Sequence, residues 1–172
     1  SEQEVAFSLQ KINQLFQQQH AEHGYLRAKN DVNEALAQEP ISLNRRFELV
    51  SVIGAGGMGS VFKARDKRKV EAQDAQPFVA VKVLNNDFKT HPQAFVSLQR
   101  EASRSHLLSH PHIVTVHDFD RDGDTIYMTM ELLQGEALDL MLQKRRLGGL
   151  AKNEAFKLIG QLCNALAYAH QK

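Results

Sequence analysis

Residues 53–61 read I-G-A-G-G-M-G-S-V, and residues 79–82 read V-A-V-K. In the first stretch, Gly54, Gly56 and Gly59 form the pattern G-x-G-x-x-G. Such a loop can bring backbone N–H groups close to phosphate oxygens, because a Cβ atom would obstruct that approach at several positions. A tight glycine hairpin without a ligand explains the first stretch equally well when it stands alone. The two stretches together indicate a nucleotide site.

The residues after the glycines decide between two nucleotide-binding designs. In a dinucleotide-binding βαβ unit, the third glycine opens a helix whose N-terminus holds the pyrophosphate. Here residues 60–65 read S-V-F-K-A-R, which alternates like a strand. The glycines therefore lie at the tip of a predicted β-hairpin, and the dinucleotide interpretation is excluded.

Composition limits the class of protein. The chain has 172 residues, 42% of them hydrophobic, which is enough to bury a core. A formal net charge of +1 gives no indication of a nucleic-acid or membrane-surface partner. Cys163 is the only cysteine, so a disulfide framework is excluded, and its helical context predicts core packing rather than a reactive thiol. Without an apolar run of about 18 residues or a signal-peptide pattern, a cytoplasmic location is the default expectation.

The first 38 residues are polar and rich in glutamine. They carry one apolar stripe at helical spacing, formed by Val5, Leu9, Ile12 and Phe16. A second short helix is predicted to end before Pro40. We expect this extension to dock on the rest of the chain or on a partner.

From residue 46 the hydrophobic period changes to two, which predicts an α+β fold with five antiparallel strands and one helix packed against them. The predicted strands are residues 46–54, 59–66, 78–84, 113–119 and 125–133. An exposed loop is expected over Lys67–Pro77, and a helix from Thr90 to about Leu108. Two further helices are predicted at residues 138–143 and 153–170, the second with Leu158, Leu162, Ala165, Leu166 and Ala169 on its inner face.

Period two places Ala80 and Lys82 on one face of the third strand, and the valines at 79, 81 and 83 on the other. A small residue beside a lysine leaves room for a flat base, with a cation close to its phosphates. A lysine on a central strand needs a charge partner, and Glu101 of the following helix can supply one. Taken alone, Glu101 is better explained as a solvated helix position beside Arg100 and Arg104, and the lysine on the strand reverses that preference.

The glycine loop, V-A-V-K and Glu101, together with H-P-H-I-V at residues 110–114, resemble the N-terminal lobe of protein kinases. The form of these motifs is most similar to the serine/threonine protein kinases of bacteria. The resemblance covers about residues 45–172. It implies three parts: residues 1–40 as a helical extension, 41–133 as a kinase N-lobe with an ATP-binding glycine loop, and 134–172 as the hinge and first helices of the C-lobe.

The resemblance also implies roles in ATP binding. The loop over the phosphates would comprise Gly54, Ala55, Gly56, Gly57, Met58, Gly59 and Ser60. Lys82 would contact the α- and β-phosphates and be held in place by Glu101, and both would be catalytic. The roof of the adenine pocket would comprise Ile53, Val61 and Ala80. Met130 would be the gatekeeper, and the backbone of Glu131 and Leu133 would hydrogen-bond the adenine edge.

The chain departs from the family pattern in two places. The Lys67–Pro77 loop is somewhat longer than the usual hairpin. The segments H-R-D-x-x-x-x-N and D-F-G do not occur in the 172 residues, so no residue can serve as the catalytic aspartate or as the family's Mg²⁺ ligands. We therefore expect this polypeptide to be inactive alone. The aspartates at 118, 120, 122 and 124 are predicted to be solvated turn residues.

No metal site is predicted among the histidines. His106 and His110 have i, i+4 spacing, but no H-E-x-x-H motif is present and Pro111 breaks the helix immediately afterwards.

The predicted function is that of the ATP-binding portion of a serine/threonine protein kinase, which transfers the γ-phosphate of ATP to a protein, with Mg²⁺ expected for the full enzyme. The alternative is a pseudokinase or a regulatory nucleotide-binding or interaction module. The expected partners are ATP and a protein substrate, without nucleic acid. Copies of the chain could also associate through the N-terminal helix or the C-terminal helix, or the N-terminal helix could restrain the glycine loop.

Overall fold

The computed structural model describes residues 2–17, 22–56, 59–84, 109–145 and 148–172. Five helices and six strands lie within these ranges. In chain order they are α1 (Glu2–Gln17), α2 (Glu22–Gln38), β1 (Ser42–Leu43), β2 (Phe47–Gly56), β3 (Gly59–Asp66), α3 (Lys67–Glu71), β4 (Phe78–Leu84), β5 (Val116–Asp122), β6 (Thr125–Met130), α4 (Leu138–Arg145) and α5 (Lys152–His170). The predicted helix from Thr90 to Leu108 lies outside the described residues.

The strands form an antiparallel sheet in the order β1-β2-β3-β4-β6-β5. The α+β prediction is confirmed, with one strand more than the five expected. The additional strand, β1, has only two residues, so it carries no hydrophobic alternation that the sequence could reveal. Asn44 and Arg45 turn the chain from β1 into β2 with φ angles of 47° and 56°. Asparagine tolerates this left-handed conformation better than most side chains do.

The strand limits agree best in the centre of the sheet. Strands β3 and β4 have the predicted limits, whereas β5 begins at Val116 instead of residue 113 and β6 ends at Met130 instead of residue 133. One side chain explains why the pairing of β5 with β6 stops at these residues. The N–H of Thr115 donates to the Glu131 carboxylate at 2.7 Å rather than to a carbonyl of β6. The ladder of backbone hydrogen bonds between β5 and β6 therefore ends at this level.

Helices α1 and α2 pack on one face of the sheet, over a core that includes the fully buried Phe62, Val81 and Tyr127. The predicted stripe on α1 is confirmed. Its central residues Leu9 and Ile12 are buried in this core, while the outer two pack at its edge. Helix α2 adds Val32 and Leu36 to the same cluster. Each buried aliphatic side chain contributes about 1.5–3 kcal/mol, so the extension is an integral part of the core.

The prediction of a plain loop over Lys67–Pro77 is wrong, because the segment begins with the one-turn helix α3. Asp66 caps it, since the Asp66 carboxylate accepts the N–H of Arg68 at 3.1 Å. The sequence prediction missed this because Asp66 was assigned only to the end of the preceding strand.

The prediction that the aspartates lie at the turn is wrong for Asp118, Asp120 and Asp122. All three lie in β5, and the turn itself is formed by residues 123–124. Asp118 and Asp120 are nevertheless exposed, as predicted. The backbone N–H of Asn44 donates to Asp122 at 2.6 Å, and its side-chain amide donates to Asp120 at 2.8 Å and to the Tyr127 hydroxyl at 2.9 Å. Burial and the nearby Asp120 carboxylate raise the pKa of Tyr127, which stays a neutral phenol. Asn44 thus joins the β1–β2 turn to the β5–β6 hairpin.

Helix α5 begins one residue before its predicted start and ends at His170, as predicted. Its predicted inner face is only partly confirmed, because Ala165 is buried whereas Leu162 and Leu166 are exposed. Cys163 is exposed too, so the prediction of core packing for this thiol is wrong. No described element covers this side of α5. None of the helices in the described ranges combines the length and the apolar character needed to cross a bilayer.

Candidate functional site

Strands β2 and β3 form a hairpin that has the glycines at its tip. Gly54 pairs with Val61, Ala55 with Ser60, and Gly56 with Gly59. Gly57 and Met58, which connect the two strands, lie outside the described residues. The hairpin continues directly into the sheet, because β3 pairs with β4 from Gly59 onwards. The alternation in residues 60–65 therefore marks a strand, as the sequence analysis inferred.

The glycines differ in what the fold requires of them. A Cβ atom on Gly59 would lie 2.0 Å from the carbonyl oxygen of Val83, and the φ angle of Gly59 is +141°. Only glycine fits there. Among the described residues, a Cβ atom at Gly56 would meet nothing within 4 Å, and one at Gly54 would meet only the Cβ of Val61 at 4.0 Å. This part of the protein therefore leaves space for a methyl group at both positions.

Lys82 lies on β4, the strand next to this hairpin in the sheet. Its cross-strand partners are Val61 of β3 and Met128 of β6, and the next pair on the same face joins Ala80 to Met130. Ala80 is buried and Lys82 is half-buried. The predicted separation of faces is observed, since Val81 and its neighbours at 79 and 83 belong to the opposite, helix-covered core.

Ile53 precedes the glycine pattern at an irregularity of the strand. Val52 pairs with Phe62 and Gly54 pairs with Val61, so Ile53 is an extra residue between two successive pairs. Bulges of this kind bend a strand and redirect its side chains, and they occur often beside functional sites. Ile53 is 43% exposed.

The segment after β6 presents backbone groups at the edge of the same face. Glu131 uses its own N–H in a 3.0 Å hydrogen bond to the Thr115 carbonyl, and its carboxylate accepts the N–H of Thr115. The N–H of Glu131 is therefore already engaged within the protein. Leu133 is 68% exposed, and its backbone lies outside the helices and strands.

The predicted ion pair between Lys82 and Glu101 involves a position outside the described residues, because the structure describes no residue between 84 and 109. Within the described ranges, no carboxylate forms an ion pair with Lys82.

An ion pair connects the two strands of the hairpin at the end away from the glycines. Arg46 donates to both carboxylate oxygens of Asp66, from Nε at 2.9 Å and from a terminal nitrogen at 2.7 Å. The Asp66 side chain is only 2% exposed. These hydrogen bonds from Arg46, together with the backbone N–H of Arg68, hold the pKa of Asp66 below its usual range.

Sequence reasoning missed two residues at this site. Met128 lies directly across from Lys82, and the period of two that places it beside Met130 was a usable signal. Thr115, whose carbonyl accepts the N–H of Glu131, could not be predicted, because any residue type can supply a backbone carbonyl.

His110 and His112 make contacts within the protein. The N–H of His112 donates to Nδ1 of His110 at 3.2 Å, and the His110 ring stacks on Tyr168 of α5. Nowhere in the described ranges do three metal-ligating side chains converge.

A groove of about 490 Å³ lies between α1 and α2, on the opposite side of the sheet from Lys82.

Comparison with known proteins decides the family. Residues 47–172 match the sequence model of the protein kinase domain. The chain belongs to the protein kinase family. The resemblance to protein kinases drawn from the sequence is confirmed.

Several curated relatives are bacterial serine/threonine-protein kinases. PknA of Mycobacterium tuberculosis is 36% identical over 135 residues, which are 76% of this chain and 30% of PknA. PrkC of Bacillus subtilis is 32% identical over 129 residues, which are 75% of this chain and 19% of PrkC. The chain therefore spans less than a third of the length of these two kinases.

Solved structures show the same fold. The crystal structure of the Mycobacterium tuberculosis PknI kinase domain is similar with a TM-score of 0.61 and 25% sequence identity. The similarity covers 76% of this chain and 49% of that kinase domain. The predicted kinase-like fold class is confirmed by this likeness.

Proposed function

We propose that residues 41–133 form the nucleotide-binding lobe of a serine/threonine protein kinase. In this proposal residues 134–172 are the hinge and the first helices of the second lobe, and residues 1–40 are a helical extension of the first. The supporting observation is that Ala80 and Lys82 share one face of β4, which pairs with the second strand of the glycine hairpin, and that the described residues leave the Cβ positions of Gly54 and Gly56 open.

ATP fits this face by shape and by charge. The hairpin from Gly54 to Ser60 would cover the phosphates through its backbone N–H groups, including those of Ala55, Gly57 and Met58. The small side chain of Ala80 would lie against the base, together with Ile53 and Val61, and Met130 would close the back of the pocket. The carbonyl of Glu131 and the backbone of Leu133 would recognise the adenine edge, because the N–H of Glu131 already donates to the Thr115 carbonyl.

Lys82 would neutralise charge on the α- and β-phosphates, and Glu101 would hold its ammonium in position. Phosphoryl transfer needs little covalent chemistry from the protein, so positioning and charge neutralisation supply most of the rate enhancement. The acceptor would be a serine or threonine of a protein substrate. Mg²⁺ would accompany ATP, and its usual ligands in the family belong to the D-F-G segment, which these residues do not contain.

ATP is plentiful in the cytoplasm, and we propose that the lobe works there.

Helix α5 exposes a row of large apolar side chains, namely Phe156, Ile159, Leu162 and Leu166. We propose that this row, or the N-terminal helix, supports association between copies of the 172-residue chain.

The decisive experiment on the activity uses a longer natural polypeptide that contains residues 1–172 together with H-R-D and D-F-G segments. It is incubated with labelled ATP, Mg²⁺ and a basic protein. Transfer of the label to serine or threonine would support the kinase proposal. A polypeptide that binds ATP but transfers no label would instead be a pseudokinase, and the enzymatic part of the proposal would fail.

We expect the 172-residue polypeptide itself to transfer no phosphate, because it contains no catalytic aspartate in an H-R-D segment and no D-F-G metal ligand. The measurement is autophosphorylation and transfer to a basic protein with purified material. Turnover that follows the protein through successive purification steps would contradict this expectation.

We expect Lys82→Ala to weaken ATP binding to the 172-residue polypeptide only modestly, by about 5-fold, because a half-exposed ammonium contributes about 1 kcal/mol. Adenosine, which carries no phosphate, should bind both forms alike. Calorimetry with the two ligands measures this, and Lys67→Ala, which removes an exposed positive charge elsewhere, is the control. Equal losses for ATP and adenosine would place Lys82 away from the phosphates and count against its assigned role.

A further inference from the structure

One hydrogen bond joins the N-terminal extension to the strand that leads into the glycine hairpin. The backbone N–H of Val52 donates to Oδ1 of Asn33, on α2, at 2.8 Å. The contact is partly buried, and the Val52 side chain is 1% exposed. An unpaired N–H at such a depth would be costly, so the asparagine oxygen replaces a strand partner.

The sheet itself provides no partner for Val52 on this side. Strand β1 pairs only with Phe47 and Glu48, and the N–H of Leu49 donates to the carbonyl of Ile41 at 2.8 Å. Beyond Leu49, β2 is an edge strand in the described part of the sheet. Helix α2 packs against β2, and Asn33 accepts the N–H of Val52 at that edge.

The contact lies immediately before the irregularity at Ile53. Val52 keeps its pairing with Phe62 while Gly54 shifts to Val61, so the strand changes register just after the residue that Asn33 holds. A bulge inserts an extra residue and bends the strand at that point. The hydrogen bond to Val52 therefore holds the last regularly paired residue before the shift.

Asn33 is held firmly enough to serve this purpose. Val32, the preceding residue, and Leu36, one turn further on, are 2% and 3% exposed and belong to the main core. The same core contains Val52 and Phe62. Helix and strand are therefore packed together on both sides of the hydrogen bond.

We infer that Asn33 is a positioning residue for the glycine hairpin. By accepting the N–H of Val52 it fixes the register shift at Ile53 and sets the position of Gly54 and Gly56 relative to Lys82. The nucleotide part of this inference rests on the proposed function. It gives the N-terminal extension a specific role, because the extension acts on phosphate binding from the opposite face of the sheet without touching the nucleotide.

The test compares three variants of the 172-residue chain. Asn33→Ala removes the acceptor, and Asn33→Asp keeps an oxygen in its place. Asn30→Ala makes the same change of residue type at an exposed position of the same helix, so it controls for helix propensity. Two properties are measured: hydrogen exchange of the backbone amides at positions 52–56, and the affinities for ATP and for adenosine by calorimetry in the presence of Mg²⁺.

Asn33→Ala should speed exchange at Val52 and weaken ATP binding, each by about 5-fold, the equivalent of one hydrogen bond. Adenosine affinity should stay within about 2-fold, because the hairpin contacts phosphates rather than the base. Asn33→Asp should restore most of both losses, and Asn30→Ala should match the unaltered chain.

The measurements distinguish a failure of this inference from a failure of the proposal on which it rests. Unchanged exchange at Val52 in Asn33→Ala would overturn the inference whether or not ATP binds, and so would equal losses of ATP and adenosine affinity. An unaltered chain that binds no ATP would overturn the proposed function and the nucleotide part of the inference. The exchange data would then still decide whether Asn33 fixes the strand.

Discussion

Gly59→Ala is expected to destabilise the protein by about 2–5 kcal/mol, the sum of a strained backbone and an overpacked contact. The new Cβ atom would lie 2.0 Å from the Val83 oxygen and 3.0 Å from the Leu84 Cα, and both are backbone atoms of β4 that cannot rotate away. Strands β3 and β4 would have to separate where Gly59 pairs with Leu84. Denaturant unfolding of the two proteins measures the loss.

Gly56→Ala is the matched control, because it adds the same methyl group three residues earlier in the same hairpin. Its Cβ atom meets nothing within 4 Å among the described residues, so stability should change by less than about 0.5 kcal/mol. ATP affinity should nevertheless fall, by about 10-fold, if phosphate oxygens approach the hairpin backbone as proposed. Unchanged affinity in Gly56→Ala would remove the phosphate from this position. Equal destabilisation by both substitutions would contradict the geometry of the hairpin.

The central sheet could be predicted from the sequence because its hydrophobic pattern agrees with its burial. Val79, Val81 and Val83 alternate with Ala80 and Lys82, and this alternation fixed both the limits of β4 and its two faces. The limits of β1 and β5, at the two edges of the sheet, could not be predicted from this alternation. The two residues of β1 are too few to show a period, and β5 starts late because the Glu131 side chain takes a hydrogen bond that a longer strand would have used.

Helix α5 shows that a hydrophobic pattern alone does not establish burial. Its sequence has the stripe of a packed helix, yet Leu162 and Leu166 remain exposed because no described element lies against them. A hydrophobic stripe predicts which face a helix will bury, but it does not specify what covers that face.

The site was predictable where it depends on glycine, on alternation and on a charge at the expected spacing. Gly54, Gly56 and Lys82 are of this kind, although their roles in binding stay predictions, as do those of Gly57, Met58 and Glu101. The contact between Asn33 and Val52 could not be predicted, because its acceptor is an ordinary polar residue of an amphipathic helix and its donor is a backbone amide.

Asp66→Ala is expected to cost about 3 kcal/mol, because it leaves the Arg46 guanidinium without its two acceptors and removes the cap of α3. Asp74→Ala is the matched control. It breaks an ion pair with Lys69 at 3.4 Å whose two side chains are both exposed, and its unfolding midpoint should stay close to that of the unaltered chain. Urea unfolding of the three proteins at neutral pH compares the two pairs.

The same pair gives the stability a pH dependence of defined sign. Arg46 lowers the pKa of Asp66 in the folded state, so the folded protein holds this carboxylate ionised more strongly than the unfolded chain does. The stabilisation is complete above the unfolded pKa of about 3.9 and is lost as the pH falls through the lower, folded pKa. In Asp66→Ala this contribution is absent at every pH. The difference in stability between the two proteins should therefore be constant near neutrality and shrink below about pH 4. A difference that persists undiminished in acid would show that lost packing, rather than the ion pair at the base of the hairpin, causes the destabilisation.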